Sequence, residues 1–539
     1  LRAQGEQGTV SEEEIEAMEH AVWGPEQDKL MAGLTDQAVS DVDPFRASLS
    51  DDERQAFDNW RSGEKEDIDA LVTLPKIGHQ TYLAFNHSAW NDKELNNWYD
   101  NCKPRLEGVA EKWRQLNIKK ASDTELLDGI CEMGVEEGHY WSSGGSHTFG
   151  VAKSTDDQLN VFLQETLPEH NFISGQFLSG IKSKTMQSNA DLFEIAKGVR
   201  EDEDLSYTVL VVPAPFLMQA LRDHEKGSEA VAAIDQYLEK YGHQGYSMDF
   251  IEPTQIEDPS ALFASLKAMV RDRNYHPDNQ SKKTAAIREQ KTREITDLLS
   301  GLEYWQLRFR LWLARKYNYI REEVAFLFGY TWSILRPMAF ELGQRLVEAG
   351  IFERPDDIFF LDSHEITEAI LARSQNATDT NFAARASERR ELREARKRHH
   401  PPGTLPAMAS NIDGVSFKET QINNDESSDT MRGFAVSSGT ITARASVVLG
   451  PSEFDKMIPG SILVSPLTTP AWTQLFAHAA GLVTDVGSIL AHGSIVAREY
   501  GIPAVLGVGN GTTRIKHGQL ITIDGDAGTV VIHASEEEA

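Results

Sequence analysis

The stretch from Thr484 to Gly507, TDVGSILAHGSIVAREYGIPAVLG, constrains this chain more than any other. Gly481-Leu482-Val483-Thr484 at its start predicts a short buried strand. Ile495-Val496-Ala497-Arg498-Glu499-Tyr500 has helical spacing, Gly501 suits the C′ position, and Pro503 stops continuation. Ala504-Val505-Leu506 then predicts a second strand. His492 is left at the N-terminus of the helix, inside a loop of small residues.

That position suits a phosphoryl group. Unpaired backbone N–H groups and the positive end of the helix dipole converge there, so a phosphate carried on the imidazole is stabilised without further residues. An imidazole with an unperturbed pKa of ~6.5 is largely neutral near pH 7 and can attack phosphorus directly. Gly487, Ser488, Ala491, Gly493 and Ser494 leave room for a bulky donor. Thr484, Gly487, Ser488, Gly493, Ser494 and Arg498 form the candidate phosphate-binding set, with Arg498 able to reach a phosphate oxygen or to pair with a carboxylate. Taken singly, a histidine at a helix start is a cap or a packed core residue.

The longer pattern carries a resemblance. GFAVSSGTITARASVVLG from Gly433, PGSILVSPLTTPAWTQLFAHAAGLVTDVGSILAHGSIVAREYGIPAVLG and DGDAGTVVI are similar to the mobile phosphohistidine domain of the phosphoenolpyruvate-utilising enzymes. The resemblance implies a swivelling β/α/β domain over 433–539. It puts His492 at the phosphorylated position, receiving phosphate at one active site and delivering it at another.

Composition narrows the partners. A chain of 539 residues exceeds one ordinary core. With 83 acidic against 53 basic residues, the formal net charge of −30 argues against nucleic acid or an anionic membrane surface. Two cysteines, Cys102 and Cys131, without metal-ligand spacing suit a reducing cytoplasm and no metal site. No apolar run is long enough to span a bilayer, and the first residues lack a signal-peptide pattern.

The expected architecture is multidomain, α plus α/β: a mostly helical region over 1–408, a polar acidic linker over 409–432, and the swivelling domain. Ser11 to Glu14 reads as a capping box, Ala285 to Tyr319 as one long amphipathic run, and Tyr330 to Ala349 as a helix closed by Gly350. Pro355 to Leu361 reads as a turn and short strand, with Asp362 or Ser363 capping the next helix. Ser142 to His147 and Gly507 to Gly511 read as glycine-rich turns. The run Arg389 to Arg398 suits either a salt-bridged helix or a basic face for a partner.

The helical region resembles the acceptor-binding domain of the rifampin-phosphotransferase and phenylphosphate-synthase group. Tyr241-Gly242-His243-Gln244-Gly245, Glu257-Asp258-Pro259, Arg308 to Glu323 and LRPMAFELGQRLVEAGIFERPDDIFFLDSHEI carry that likeness. His243 is a candidate base or orienter, with a satisfied turn histidine as the alternative. Arg321 and Arg336 are candidate phosphate clamps and one of the adjacent glutamates, Glu322 or Glu323, a candidate base, with Glu322 also placed in the acceptor-binding set, unless these charges form a solvated or salt-bridged face. Phe326, Tyr330 and Trp332 line an aromatic acceptor pocket or simply pack a core.

No Gly-x-x-x-x-Gly-Lys-Ser/Thr loop is present, and nothing upstream resembles an ATP-grasp domain. ATP and Mg2+ are therefore expected on a separate ATP-grasp subunit. The resemblance to the histidine-bearing subunit of phenylphosphate synthase implies a dikinase-type phosphotransferase. ATP, a small hydroxyl acceptor such as phenol and water would give the phospho-acceptor, AMP and inorganic phosphate. A rifampin-type natural-product phosphotransferase and a phosphohistidine carrier without a small acceptor are the rival expectations.

Overall fold

The computed structural model describes residues 45–63, 91–170, 172–181, 183–377, 381–397, 411–412, 415–416, 428–488 and 491–534. Among the described residues, helices predominate as far as Lys397, and a mixed sheet begins at Thr430. The Ser11 capping signal and most of the polar 409–432 segment lie outside the described residues.

Helices α1 (Asp123–His139), α2 (Gly145–Thr166), α3 (Lys184–Arg200), α4 (Ser228–Tyr241), α5 (Gly301–Phe326) and α6 (Trp332–Glu348) frame the helical region. Several start where side chains satisfy the orphan N–H groups of a first turn. Ser122 and Glu125 make a reciprocal capping box on α1, and the Ser183 hydroxyl accepts from the Met186 N–H on α3. The central helix α5 is buried on more than one side. Phe309, Leu313, Tyr317, Ile320 and Val324 enter one apolar cluster, and Leu307, Leu311 and Ala314 enter another. Arg321 and Glu322 near its C-terminal end are consequently buried with the helix that bears them.

Three local expectations are corrected. The run from Ala285 to Tyr319 is two helices, broken after Leu298 where Gly301 takes a φ of 57°. Pro355–Phe360 is a 3-10 turn, held by the Asp357 carboxylate accepting the Glu353 and Arg354 N–H groups at 3.1 and 2.9 Å. Ser142 to His147 is no turn: Tyr140–Gly144 is a π-helical segment running into α2. Asp362 caps the next helix, and Gly350 follows α6 with a φ of 72°.

The C-terminal sheet contains β1 (Thr430–Arg432), β2 (Phe434–Ser437), β3 (Thr440–Val447), β4 (Ile462–Ser465), β5 (Gly481–Thr484), β6 (Ala504–Leu506), β7 (Leu520–Asp524) and β8 (Thr529–Ile532). Their order is β1-β8-β7-β3-β4-β5-β6-β2. The β3-β4, β4-β5 and β5-β6 pairs are parallel, and the remaining neighbours are antiparallel. The central strands β4, β5 and β6 are buried at every residue, as a sheet covered on both faces requires. Helix α7 (His492–Tyr500) connects β5 to β6.

The two regions are in contact. Tyr246 and Ala261 of the helical region share an apolar cluster with Phe454, Trp472, Leu475 and Tyr500 of the sheet region. The Thr469 hydroxyl donates to the Gly245 carbonyl at 2.9 Å, and the Trp472 indole N–H to the Tyr246 carbonyl at 2.9 Å. These bonds satisfy buried backbone acceptors across the contact.

Candidate phosphohistidine site

His492 is the first residue of α7. Ala491 precedes it as an N-cap without a side-chain bond, and Gly501 closes the helix in the left-handed conformation at φ 60°. The first-turn N–H groups are thus left to a ligand or to the loop. The loop is tightly drawn. A Cβ on Gly493 would lie 2.7 Å from Thr468 Oγ1, and one on Gly487 would lie 2.9 Å from Leu506 Cδ2. The Ser494 hydroxyl donates to the Ser488 carbonyl at 2.5 Å and the Thr484 hydroxyl to the Val486 carbonyl at 2.9 Å. Both protons serve the loop, so these two side chains shape the site before they can bind phosphate.

The imidazole is held from one side. Thr473 Oγ1 lies 3.2 Å from His492 Nε2, whereas Nδ1 is buried with no hydrogen-bond partner among the described residues. Burial pushes the His492 pKa down to about 4, with Glu322 opposing that shift and Arg321 reinforcing it. At neutral pH the ring is uncharged and keeps a lone pair for phosphorus.

The charges that bear on His492 come from α5 in the helical region. Arg321 is buried, its pKa lowered to about 10 by desolvation, and it stays cationic at pH 7. Glu322 accepts the Thr185 hydroxyl at 2.5 Å through Oε2, and its Oε1 has no partner among the described residues. A narrow slot opens beside them. Thr185, Gln244, Glu322 and Phe326 form one wall, and Pro470 and Thr473 of the sheet region form the other. The charges of a cation and of a carboxylate with a free oxygen on one region thus act on a neutral imidazole on the other.

Other candidates fall elsewhere. His243 is buried, its Nε2 2.6 Å from the Phe326 carbonyl and its ring packed edge-on to Phe326 and Tyr330. Burial lowers its pKa to about 4, so the ring is neutral, and the geometry makes Nε2 the N–H donor to that carbonyl. Arg336 is spent on Glu257 at 2.6 Å and on the Phe250 and Ile251 carbonyls, away from Arg321. Trp332 packs on Phe328 and Phe250 in the core, whereas Phe326 lines the slot. Tyr330 lines a separate cavity of about 610 Å³ behind His243, together with Trp113, Arg114, Met218 and Ile256. Arg498 lies toward the helical region, where Asp156 is the first of the acidic groups it feels. The basic run pairs with acids on other elements: Arg389 with Glu365, Arg390 with Asp356 and Asp357, and Arg393 with Asp249 and Glu252.

Thr473 and Thr185 escape a reading by motif. Thr473 sits inside the quoted PLTTPAWTQLF stretch, where the buried Trp472 beside it was an available signal; Thr185 had none. Among the described residues no three His, Cys, Asp or Glu side chains converge on a possible metal position, and no helix is long and apolar enough to cross a membrane.

Residues 457–528 match the family described as PEP-utilising enzyme, mobile domain, and residues 146–322 match the rifampicin phosphotransferase fourth domain. The first match encloses the His492 loop, and the second ends at Glu322. An uncharacterized phosphotransferase, YvkC, of Bacillus subtilis is 28% identical over 66% of this chain and 43% of its own length. A rifampicin phosphotransferase of Bacillus cereus is 25% identical over 89% of this chain and 54% of its own. A prodigiosin synthesizing transferase of Serratia marcescens is 30% identical over 56% of this chain and 33% of its own. The chain spans between a third and just over a half of the length of these relatives.

Proposed function

We propose that this chain, in which a match to the PEP-utilising enzyme mobile domain follows a match to the rifampicin phosphotransferase fourth domain, carries a phosphoryl group on His492 and delivers it to the hydroxyl of a ring-bearing small molecule. The single observation that carries this reading is that Glu322 lines one slot with Thr473, the hydroxyl partner of neutral His492, while the Arg321 and Glu322 charges both act on that imidazole. Phosphohistidine is already an activated donor, so what remains is positioning, proton removal and charge stabilisation.

In the delivery step the acceptor oxygen attacks phosphorus, its proton passes to Glu322, and the new O–P bond forms as the P–N bond breaks. The bonding pair returns to the imidazole nitrogen. Arg321 offsets the negative charge on the phosphoryl oxygens, and Thr185 holds Glu322 with one oxygen free. A phenolic hydroxyl, with a pKa of ~10 like that of tyrosine, yields its proton more readily than an alcohol. The relatives named for rifampicin and prodigiosin favour a natural-product acceptor over phenol itself. ATP and Mg2+ belong, in this proposal, to a nucleotide-binding ATP-grasp unit on a separate subunit, and the compartment is the cytoplasm.

The test is to incubate the chain with ATP labelled at the β-phosphate, together with that nucleotide-binding unit or host extract. Acid-labile, base-stable label should appear on the wild type, be absent from His492→Ala, and chase onto a hydroxylated aromatic acceptor. Label that survives His492→Ala would overturn the proposal. Label that chases onto phenol would restore the narrower phenylphosphate reading.

A further inference from the structure

Arg498 lies six residues beyond His492 on α7, about 9 Å further along the helix axis. Its guanidinium enters the helical region instead of serving the phosphoryl position. Its Nε donates to the Ser494 carbonyl at 3.1 Å, and its chain runs across Gly175 so closely that a Cβ there would lie 2.6 Å from Arg498 Cδ and 2.7 Å from Nη1. Asp156 on α2 is the first charge to act on Arg498, and burial raises the pKa of the Asp156 carboxyl while the Arg498 charge opposes that rise. The next residue repeats the pattern. Glu499 accepts the Ser183 hydroxyl at 2.9 Å, the same hydroxyl that caps α3. Thus α7 presents His492 at one end and two ionisable groups at the other, each met by a residue of the helical region.

We propose that Gly175 and Asp156 form a socket for Arg498 that holds the mobile domain on the helical region in the position where His492 meets Arg321 and Glu322. They are positioning residues, because they touch neither His492 nor the slot. The physical logic is selective. A buried guanidinium is costly without a nearby carboxylate, and Asp156 supplies one only in this arrangement. Gly175 supplies the space, since any side chain would occupy the path of Arg498. Glu499 fits the same logic: burial and the neighbouring Glu322 push its carboxyl pKa well up, and it accepts the Ser183 hydroxyl across the contact. Gly175's place in the socket stands on contact geometry and Asp156's on its charge acting on Arg498, and the link to phosphoryl delivery rests on the function proposed above.

Hydrogen exchange on the full chain tests the socket without reference to activity. Gly175→Leu should raise exchange at least tenfold on both sides of the contact, over 245–254 and 469–476, while α5 and β4 to β6 keep their protection. Arg498→Ala, which empties the socket without a clash, should raise exchange about threefold or more in the same two strips. Unchanged exchange in Gly175→Leu, or wild-type exchange in Arg498→Ala, would overturn the socket. If Gly175→Leu also loosens α5, Asp156→Asn decides: about threefold faster exchange in the same two strips supports the socket, and wild-type exchange refutes it. In a transfer assay, Gly175→Leu should accept label on His492 within twofold of the wild type and deliver it at least tenfold more slowly. A wild-type chain that never accepts label would defeat the function proposed above, and the exchange result would still decide the socket.

Discussion

The helix start that carries His492 and the chain turn that carries His243 are alike in their electrostatics and opposite in their chemistry. Both imidazoles are held neutral, with pKa values lowered to about 4 by burial. His243 gives its Nε2–H to a main-chain carbonyl, packs edge-on against Phe326 and Tyr330 and lines the separate cavity, so its Nε2 is spent on the fold and no carboxylate acts on it. His492 meets only a hydroxyl, keeps Nδ1 unpartnered among the described residues, and faces a cation and a carboxylate. A depressed pKa marks burial; it takes an open nitrogen and facing charges to mark a reaction site.

The comparison breaks first at His492. His492→Ala should abolish acid-labile label altogether, and any residual label would show that phosphate is carried elsewhere. Glu322→Gln should leave labelling intact and slow delivery to the acceptor by roughly 10²- to 10⁴-fold, read as single-turnover decay of the phosphorylated chain. Thr185→Val removes one hydrogen bond from Glu322 and should slow delivery about tenfold, with labelling unaffected. At His243 the effect should shift from chemistry to stability: His243→Leu is expected to cost ~1–3 kcal/mol in urea unfolding, leaving labelling within about threefold.

The pH dependence sharpens the contrast further. A histidine whose folded pKa is lowered binds fewer protons folded than unfolded, so its contribution is complete above the unfolded value of ~6.5 and is lost as pH falls toward the folded value. With His243 at about 4, the loss between pH 7 and pH 5 is on the order of 2 kcal/mol for that residue. His243→Leu should flatten this part of the stability profile. A profile equally steep in the variant would assign the acid sensitivity to other groups.

Much of the C-terminal region was legible because its signals are local. Gly501 and Pro503 punctuate the helix, and the strand Gly481–Thr484 and the strand Ala504–Leu506 stand where the apolar runs predict them. The misread pieces failed where one residue overrides a pattern. Gly301 breaks what reads as a single amphipathic run, and the Asp357 side chain turns an apparent strand into a 3-10 turn. The aromatic cluster was ambiguous for another reason. Composition cannot separate a pocket wall from a core, and the structure divides the cluster, giving Phe326 to the slot, Tyr330 to a separate cavity and Trp332 to the core.

By itself the sequence determined the helix that carries His492, the strands on either side of it and the likeness of its loop, since hydrophobic period, glycine conformation and proline geometry act within a few residues. Only the tertiary structure decided which groups His492 faces. Asp156, Gly175, Ser183 and Arg321-Glu322 lie far from His492 along the chain. They are gathered by the packing of α2, α3 and α5, and by the docking of the β4–β5 connection on Gly245 and Tyr246. Buried charges take their meaning from what surrounds them, and that is a property of the packed chain.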